Sequence, residues 1–258
     1  MAPRTPVILL HGAFCGGWAM ENLAGAFAAS GYATHTPDLR HHNEAAKGER
    51  NLKALATTSM RDYAQDVRTL IDGLDEKPIL IGHSMGGLLA QMLAARARAV
   101  ILVAPCAPWG LIPSHWEQYA SGVGLILAAG HYWERTIPPA YEIAAERALD
   151  RMPRAERERI FARFVPESGR AMFEILQWWL DMGRATDVPA REVTCPVLCI
   201  AGERDRVNPP ETVRRVAARY RDNATYKEYP GMSHWLIGEP GWDAVAKDAA
   251  DWAGALKD

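Results

Sequence analysis

The stretch ILIGHSMGG at residues 79–87 decides the fold of this chain. It joins a compact apolar run, typical of a buried strand, to a helical pattern, and it contains the motif G-x-S-x-G centred on Ser84. A strand-to-helix turn this sharp strains the backbone of its middle residue, and flanking glycines leave room for that strain. It would raise the Ser84 hydroxyl above a sheet edge, at a helix N-terminus that favours negative charge. We therefore predict that Ser84 is a nucleophile; the alternative is a glycine-rich turn with an incidental serine.

Short apolar runs alternate with helical patterns along most of the chain. The predicted strands are Val7–Leu10, Tyr32–Thr36, Pro78–Ile81, Val100–Ala104, Val197–Ala201 and Thr225–Tyr229. The predicted helices are Gly17–Ser30, Ser59–Leu74, Ser84–Arg96, Pro210–Arg221 and Trp242–Leu256. Ser59, followed by Asp62 three residues later, resembles a capping box. The alternation predicts an α/β fold, with a parallel sheet covered by helices on both faces.

Residues 108–191 break this alternation and contain no clear strand. Their helical patterns cover Tyr141–Met152, Arg154–Phe164 and Arg170–Met182, and the segment is rich in aromatic residues. We interpret it as a helical cap inserted into a core domain that comprises residues 1–107 and 192–258. The alternative is that these helices simply pack against the sheet.

The composition excludes several classes of protein. The 258 residues carry a formal net charge of -2, with 48% hydrophobic and 23% charged residues, which is ordinary for a globular domain. Basic residues are scattered, so neither a nucleic acid nor an anionic membrane is indicated as the main partner. No stretch is long and apolar enough to span a bilayer, and the first apolar run lacks a signal-peptide cleavage site.

The four cysteines are too few and too unevenly spaced for a disulfide framework. They are expected to be reduced thiols of a cytoplasmic protein. No spacing of cysteine and histidine matches a zinc site.

A serine hydroxyl needs a neighbouring base at neutral pH, and His234 is the best-placed of the eight histidines. It follows the last predicted strand, in the loop PGMSHW at residues 230–235, and ligands collect where parallel strands end. A carboxylate that orients this base should also follow a strand. Asp205, in GERDRV at residues 202–207, has that position, and Glu203 is the alternative.

Acyl transfer also requires two N–H donors for the oxyanion. The residue after the nucleophile, Met85, should supply one of them. The other should come from the loop HGAFCGGW at residues 11–18, directly after the first strand, where we assign Ala13 with Phe14 as the alternative. Cys15 has no adjacent base in the sequence and is interpreted as a packing residue.

With these motifs in place, the chain resembles the α/β-hydrolase superfamily over nearly its whole length. The matching segments are HGAFCGGW at 11–18, PD at 37–38, GHSMGG at 82–87, GERDRVNPP at 202–210 and GMSHW at 231–235. The first is similar to the corresponding loop of plant methylesterases and hydroxynitrile lyases. The resemblance implies an eight-stranded, mostly parallel sheet with a helical cap, a Ser84–Asp205–His234 triad, and an oxyanion hole of Ala13 and Met85.

Two positions depart from the lyase pattern. The lyases place a threonine after the first histidine of the loop and a lysine after the catalytic histidine, where this chain has Gly12 and Trp235. That difference favours hydrolysis over cyanohydrin cleavage. The aspartate nucleophile of haloalkane dehalogenases and epoxide hydrolases is absent, because the elbow residue is Ser84.

The sequence thus predicts a serine hydrolase that cleaves carboxylic esters with an apolar moiety. Lactone, thioester, amide and carbon–carbon bond hydrolases use the same triad and remain open, as do a hydroxynitrile lyase-like activity and a ligand receptor without turnover. The side chains expected to line the apolar pocket are aromatic: Phe14, Trp109, Trp116, Trp133, Trp178, Trp179 and Trp235. We expect a small-molecule substrate and no cofactor or metal. The oligomeric state stays open, with a homodimer as one option.

Overall fold

A computed structural model of the chain describes residues 5–43, 48–112, 114 and 130–256. Six strands form one central sheet, and all five pairings between neighbouring strands are parallel. The strands are β1 (Pro6–Leu10), β2 (Ala33–His35), β3 (Ile79–His83), β4 (Ala99–Val103), β7 (Val197–Gly202) and β8 (Ala224–Tyr229), while β5 (Thr136–Ile137) and β6 (Glu167–Ser168) pair separately. The predicted α/β class and parallel sheet are therefore confirmed.

Helices connect these strands. They are α1 (Glu21–Ala29), α2 (Glu49–Ala56), α3 (Met60–Asp72), α4 (Met85–Met92), α5 (Tyr141–Ile143), α6 (Arg154–Phe161), α7 (Gly169–Leu176), α8 (Pro210–Arg219) and α9 (Trp242–Gly254). Within the described ranges, no helix is long and apolar enough to cross a membrane. The capping box at the start of α3 is present as predicted.

The strand order places the loops that follow the carboxyl ends of five strands side by side. The order β2-β1-β3-β4-β7-β8 means that the chain first moves outward from β1 to β2 and then returns to β3. Parallel sheets bind ligands outside the carboxyl ends of their strands, where such a reversal leaves a crevice. The loops that follow β1, β3, β4, β7 and β8 all begin at this edge, next to one another.

Alternating side chains of the strands form two hydrophobic cores, one on each face of the sheet. Ile8 and Leu80 face one core, which is covered by helices that include α3, α4 and α8. Val7 and Ile81 face the other, which is covered by α1 and α9. Burial on both faces explains why these strands are continuous apolar runs rather than alternating ones.

The expectation of eight strands, which came from the family resemblance, is not met by the described residues. Between β2 and β3 the described residues form α2 and α3 and no strand. The short strands β5 and β6 pair with each other in antiparallel fashion, apart from the central sheet. Each has only two residues, which is too short for the two-residue alternation that marks a strand in a sequence.

The described residues of the segment 108–191, which lies between β4 and β7, are less helical than the sequence pattern predicts. The first predicted helix, Tyr141–Met152, is the short α5 followed by a π-helical turn at Ala144–Ala148. The last, Arg170–Met182, ends as α7 at Leu176 and continues as a 3-10 turn at Trp178–Leu180.

Candidate active site

Ser84 sits at the sharp turn between β3 and α4, in a backbone conformation that non-glycine residues rarely adopt. Its φ of 54° and ψ of -115° lie outside the regions favoured by L-residues. The turn closes because its glycines have no side chains. A Cβ on Gly82 would lie 2.1 Å from the carbonyl oxygen of Gly86, and one on Gly86 would lie 2.2 Å from that of Leu10. The predicted elbow is therefore present, with the serine at its apex.

His234 and Asp205 form a buried pair beside this turn. The imidazole Nδ1 lies 2.8 Å from Oδ2 of Asp205, and the two residues are 4% and 3% exposed. The other carboxylate oxygen, Oδ1, accepts the backbone N–H groups of Val207 at 2.7 Å and Asn208 at 2.8 Å. With both oxygens occupied, the carboxylate is held in place and in turn orients the imidazole.

Glu203, the alternative acid, makes a different contact. Its exposed side chain accepts the backbone N–H of Gly231 at 2.6 Å, which ties the end of β7 to the loop that precedes His234. It is thus a brace for that loop, whereas Asp205 holds the imidazole.

His83, the residue before Ser84, contacts both the backbone and the ring of His234. Its Nε2–H donates to the carbonyl oxygen of His234 at 2.9 Å, and the two rings lie 4.8 Å apart. Burial, followed by the nearby His234, lowers the pKa of His83 to about 3. His83 is therefore neutral at physiological pH, which suits its role as a donor to a carbonyl group. The ring of Trp235 packs edge-on against it at 5.7 Å.

The Ser84 hydroxyl contacts a thiol. Its Oγ lies 3.8 Å from Sγ of Cys106, in the loop after β4, and in this rotamer it does not hydrogen-bond to His234. The same sulfur accepts from Nδ2 of Asn208 at 3.7 Å. Burial raises the pKa of Cys106 to about 11, so the thiol is protonated at neutral pH and is not itself a nucleophile.

The backbone N–H groups of Ala13 and Met85 have no acceptor among the described residues. Both residues line the cavity above Ser84. Phe14, the alternative donor, is already engaged, because its N–H donates to Oε2 of Glu167 at 3.2 Å. The arrangement therefore leaves Ala13 and Met85 as the pair of free donors.

The sequence of the chain also matches a known family. The sequence model of the alpha/beta hydrolase family matches residues 7–248. The chain belongs to the alpha/beta hydrolase family.

Curated relatives of this alpha/beta hydrolase include enzymes and a binding protein. A monoacylglycerol lipase of Mycolicibacterium smegmatis is 24% identical over 264 residues, which cover 97% of this chain and 88% of the relative. Salicylic acid-binding protein 2 of Nicotiana tabacum is 36% identical over 83 residues, which cover 31% of this chain and 30% of that protein.

Solved structures show the same fold. A methylesterase from Arabidopsis superposes with a TM-score of 0.73 at 14% identity, covering 98% of this chain and 100% of that one. A monoacylglycerol lipase of Paleococcus ferrophilus has a TM-score of 0.71 at 22% identity, covering 97% and 95%. At these identities the likeness establishes the architecture only.

A cavity of about 590 Å³ opens above Ser84 in this hydrolase. Core loops form its floor and the inserted segment supplies much of its wall. Of the aromatic residues expected to line it, four do so: Phe14, Trp178, Trp179 and Trp235. Trp116 lies outside the described residues. The lining is mainly apolar, as for a site that accepts a hydrophobic group.

Trp109 and Trp133 do not line the cavity, and this part of the prediction is wrong. Trp109 packs edge-on against Trp178 at 5.4 Å, with the guanidinium of Arg184 stacked 4.3 Å from its ring. Trp133 packs against Phe173, with ring centroids 5.1 Å apart. Both rings therefore pack within the segment 108–191. The prediction failed because an aromatic-rich sequence does not indicate which way each ring points.

Three site residues escaped the sequence reasoning. Cys106 and Asn208 follow β4 and β7, so the rule that sites form at the carboxyl ends of strands could have found them. Glu167, which is fully buried and binds the loop after β1, had no such signal. Across the described ranges, no cluster of His, Cys, Asp and Glu is suited to hold a metal ion.

Proposed function

We propose that this alpha/beta hydrolase cleaves carboxylic esters with an apolar moiety through an acyl-enzyme on Ser84. The observation that carries the proposal is the strained Ser84 in the same apolar cavity as the buried His234–Asp205 pair. Relatives named as a monoacylglycerol lipase and as methylesterases support ester bonds as the target.

The reaction begins when the Ser84 side chain turns about χ1 from Cys106 toward His234. The imidazole removes the hydroxyl proton as Oγ attacks the ester carbonyl, and the N–H groups of Ala13 and Met85 bind the developing oxyanion. Asp205 stabilises the imidazolium that forms. His234 then gives the proton to the leaving alcohol, and a water molecule activated in the same way releases the carboxylic acid.

Two residues favour hydrolysis over the lyase alternative. A Cβ on Gly12 would lie 3.2 Å from Cβ of Ser84 and 3.1 Å from Nδ1 of His83, so a threonine there would crowd the nucleophile. Trp235 occupies the position of the lyase lysine and is 4% exposed. That position therefore supplies no cation to receive a cyanide ion.

We also propose that residues 108–191 form a cap that closes the cavity over the substrate, and that the protein acts in the cytoplasm. The first proposal is supported by the cavity wall that this segment supplies, and the second by four cysteines that are all free thiols. A panel of ester, lactone, thioester and amide substrates would separate the remaining hydrolase alternatives.

The decisive test is labelling with a fluorophosphonate, followed by peptide mapping and assay with p-nitrophenyl butyrate. We expect one adduct on Ser84, and loss of adduct and activity by at least about 1,000-fold in Ser84→Ala. Ser30→Ala, at the exposed end of α1, is the matched control and should behave as the wild type. An adduct on another residue, or Ser84→Ala activity within twofold of the wild type, would reject the proposal. Labelling without turnover of any ester would favour a ligand receptor.

A further inference from the structure

The loop after β1 is held from outside the core domain. Phe14 has a φ of 64°, in the left-handed region that side chains disfavour. Its backbone is gripped on both sides by the inserted segment: its N–H donates to Oε2 of Glu167 at 3.2 Å, and its carbonyl oxygen accepts the N–H of Val165 at 2.9 Å. The strained loop therefore depends on contacts 153 residues away in the chain.

The Glu167 side chain is a buried carboxylate that accepts four hydrogen bonds. It is 0% exposed, and besides Phe14 it accepts from Nε2 of His42 at 2.9 Å, the hydroxyl of Tyr63 at 2.8 Å and the N–H of Ser168 at 2.7 Å. Burial opposes both charges, yet the attraction and hydrogen bond between the partners lower the pKa of Glu167 and raise the pKa of His42. A buried carboxylate is tolerated when it is paired and hydrogen-bonded in this way.

The contact acts on the peptide next to the oxyanion donor. The N–H of Ala13 belongs to the same peptide plane as the carbonyl of Gly12, which accepts from Nδ1 of His11 at 2.8 Å. The ring of His11 has this tautomer because its Nε2 accepts the N–H of Leu39 at 3.0 Å. His11 thus orients one peptide and Glu167 orients the next one. Together they leave Ala13 little freedom to turn away from the cavity.

We propose that Glu167 is a positioning residue for the oxyanion hole: its carboxylate, hydrogen-bonded to His42, aims the Ala13 N–H only while the inserted segment is seated. This inference rests on the proposed ester hydrolysis. It makes the inserted segment part of the catalytic machinery and not only a cover over the cavity.

Glu174 provides a matched control within the same segment. It is 1% exposed, and its carboxylate accepts from Oγ of Ser59 at 2.9 Å and the N–H of Met60 at 2.8 Å, with Arg170 beside it. It therefore fastens the inserted segment to α3 without touching the loop after β1. If Glu167 merely anchored the segment, neutralising either carboxylate would have the same effect.

The test compares Glu167→Gln with Glu174→Gln in kcat and KM for p-nitrophenyl butyrate and in the rate of fluorophosphonate labelling. The carboxylate accepts from four donors, whereas the amide introduced by Glu167→Gln has one accepting oxygen, so its N–H groups must face either His42 and Phe14 or Tyr63 and Ser168. The contact that holds the loop is thereby disrupted. We expect kcat and the labelling rate to fall about 10- to 100-fold in Glu167→Gln with KM within threefold, since displaced oxyanion donors weaken only the transition state. In Glu174→Gln we expect kcat and labelling within threefold of the wild type.

Glu167→Asp covers the case in which Glu167→Gln does not fold. It keeps the negative charge opposite His42 but withdraws the carboxylate from the Phe14 N–H by one methylene, and it should show the same loss in kcat. Equal effects of the two Gln variants, or wild-type labelling rates in Glu167→Asp, would overturn the positioning role while the proposed hydrolysis stands. Failure of the wild type to label on Ser84 would overturn the hydrolysis, and this role with it.

Discussion

Ser84 keeps a backbone conformation that an L-amino acid adopts only where its surroundings enforce it. Such strain costs on the order of 1–3 kcal/mol and must be offset by neighbouring contacts. Here the Ser84 N–H donates to Val103 at 3.0 Å, and its carbonyl oxygen accepts from Gly87 and Cys106, each at 3.0 Å. These bonds connect the elbow to α4 and to the loop after β4, so the strained residue is held from three directions.

Gly86→Ala is expected to break the elbow. The new Cβ would lie 2.2 Å from the carbonyl oxygen of Leu10 and 2.6 Å from that of His11, both backbone atoms that cannot move alone. We expect a loss of about 3 kcal/mol or more in the free energy of unfolding, measured in urea, and a fall of about 100-fold in esterase activity.

Gly25→Ala is the control, because a Cβ there meets nothing within 4 Å on the exposed face of α1. It should be neutral or stabilising by up to about 1 kcal/mol. Gly86→Ala as stable as Gly25→Ala would contradict the packing argument.

Glu239 gives the protein a specific dependence of stability on pH. The side chain is 1% exposed, Oε1 accepts the N–H of Ser233 at 2.6 Å, and Oε2 has no partner among the described residues. Burial, with a smaller contribution from Asp150, raises the pKa of Glu239 to about 7. The folded state thus binds a proton that the unfolded state releases near pH 4.5, so this contribution to stability is complete below pH 4.5 and lost as pH rises through about 7.

Glu239→Gln removes that titration and keeps an acceptor for Ser233. We expect its melting temperature, relative to that of the wild type, to be higher at pH 8 than at pH 5, measured by circular dichroism in one buffer series. A difference that is constant across this range would show that Glu239 does not titrate as described.

At the scale of elements, the site depends on where parallel strands end. Each of β1, β3, β7 and β8 contributes one loop, and these loops carry Ala13, Ser84, Asp205 and His234 respectively. The register of the pair β1 and β3 sets Leu10 opposite Gly82, so the two strands end side by side. The site thus follows from strand order and register. The segment 108–191 is attached to the rest of the molecule where its helix α7 contacts the start of α3.

Ser59→Ala tests this attachment. The Ser59 hydroxyl caps α3 by accepting the N–H of Arg61 at 3.1 Å and also donates to Glu174 of α7 at 2.9 Å. Loss of a cap costs about 1 kcal/mol, and a buried acceptor that loses a donor adds a similar amount. We expect a decrease of about 2 kcal/mol in the free energy of unfolding in urea.

Ser30→Ala removes a hydroxyl from the exposed end of α1 and should change the free energy of unfolding by less than about 0.5 kcal/mol. Indistinguishable results for the two serine variants would mean that the Ser59 contacts contribute nothing net.

At the scale of the whole molecule, loops of the central sheet carry Ser84, Asp205 and His234, and the segment 108–191 supplies much of the cavity wall above them. The cavity of about 590 Å³ is within the range of sites that enclose a small organic ligand. Each additional methylene of the substrate that is buried against the apolar wall stabilises the complex by about 0.8 kcal/mol. We therefore expect the cavity to discriminate between substrates by the length of their acyl chain.

We expect kcat/KM to rise about fourfold per methylene from p-nitrophenyl acetate to the hexanoate ester, until the acyl chain fills the cavity. Ile175→Trp, which enlarges a lining side chain of α7, should lower the value for the hexanoate ester and spare the acetate. A flat series in the wild type would mean that the acyl group does not enter the apolar cavity.

The fold class and most elements of the core could be predicted from the sequence. So could the positions of Ser84, Asp205 and His234, because each of these residues lies in a short segment directly after a strand. Features with a weak or long-range signal could not be predicted. Helix α2 was not expected, and strands β5 and β6 are too short to show a period. The inward or outward direction of Trp133 depends on Phe173, which lies far along the chain in α7.

By itself, the sequence determined that apolar runs alternate with helices and that a glycine-flanked serine follows one of them. Those features are local, because strand burial and turn sterics act within a few neighbouring residues. Only the tertiary structure decided that Cys106 meets the Ser84 hydroxyl and that Glu167 reaches the loop before it. Glu167 and His42 are 125 residues apart, and nothing short of folding brings this carboxylate and this imidazole together away from water.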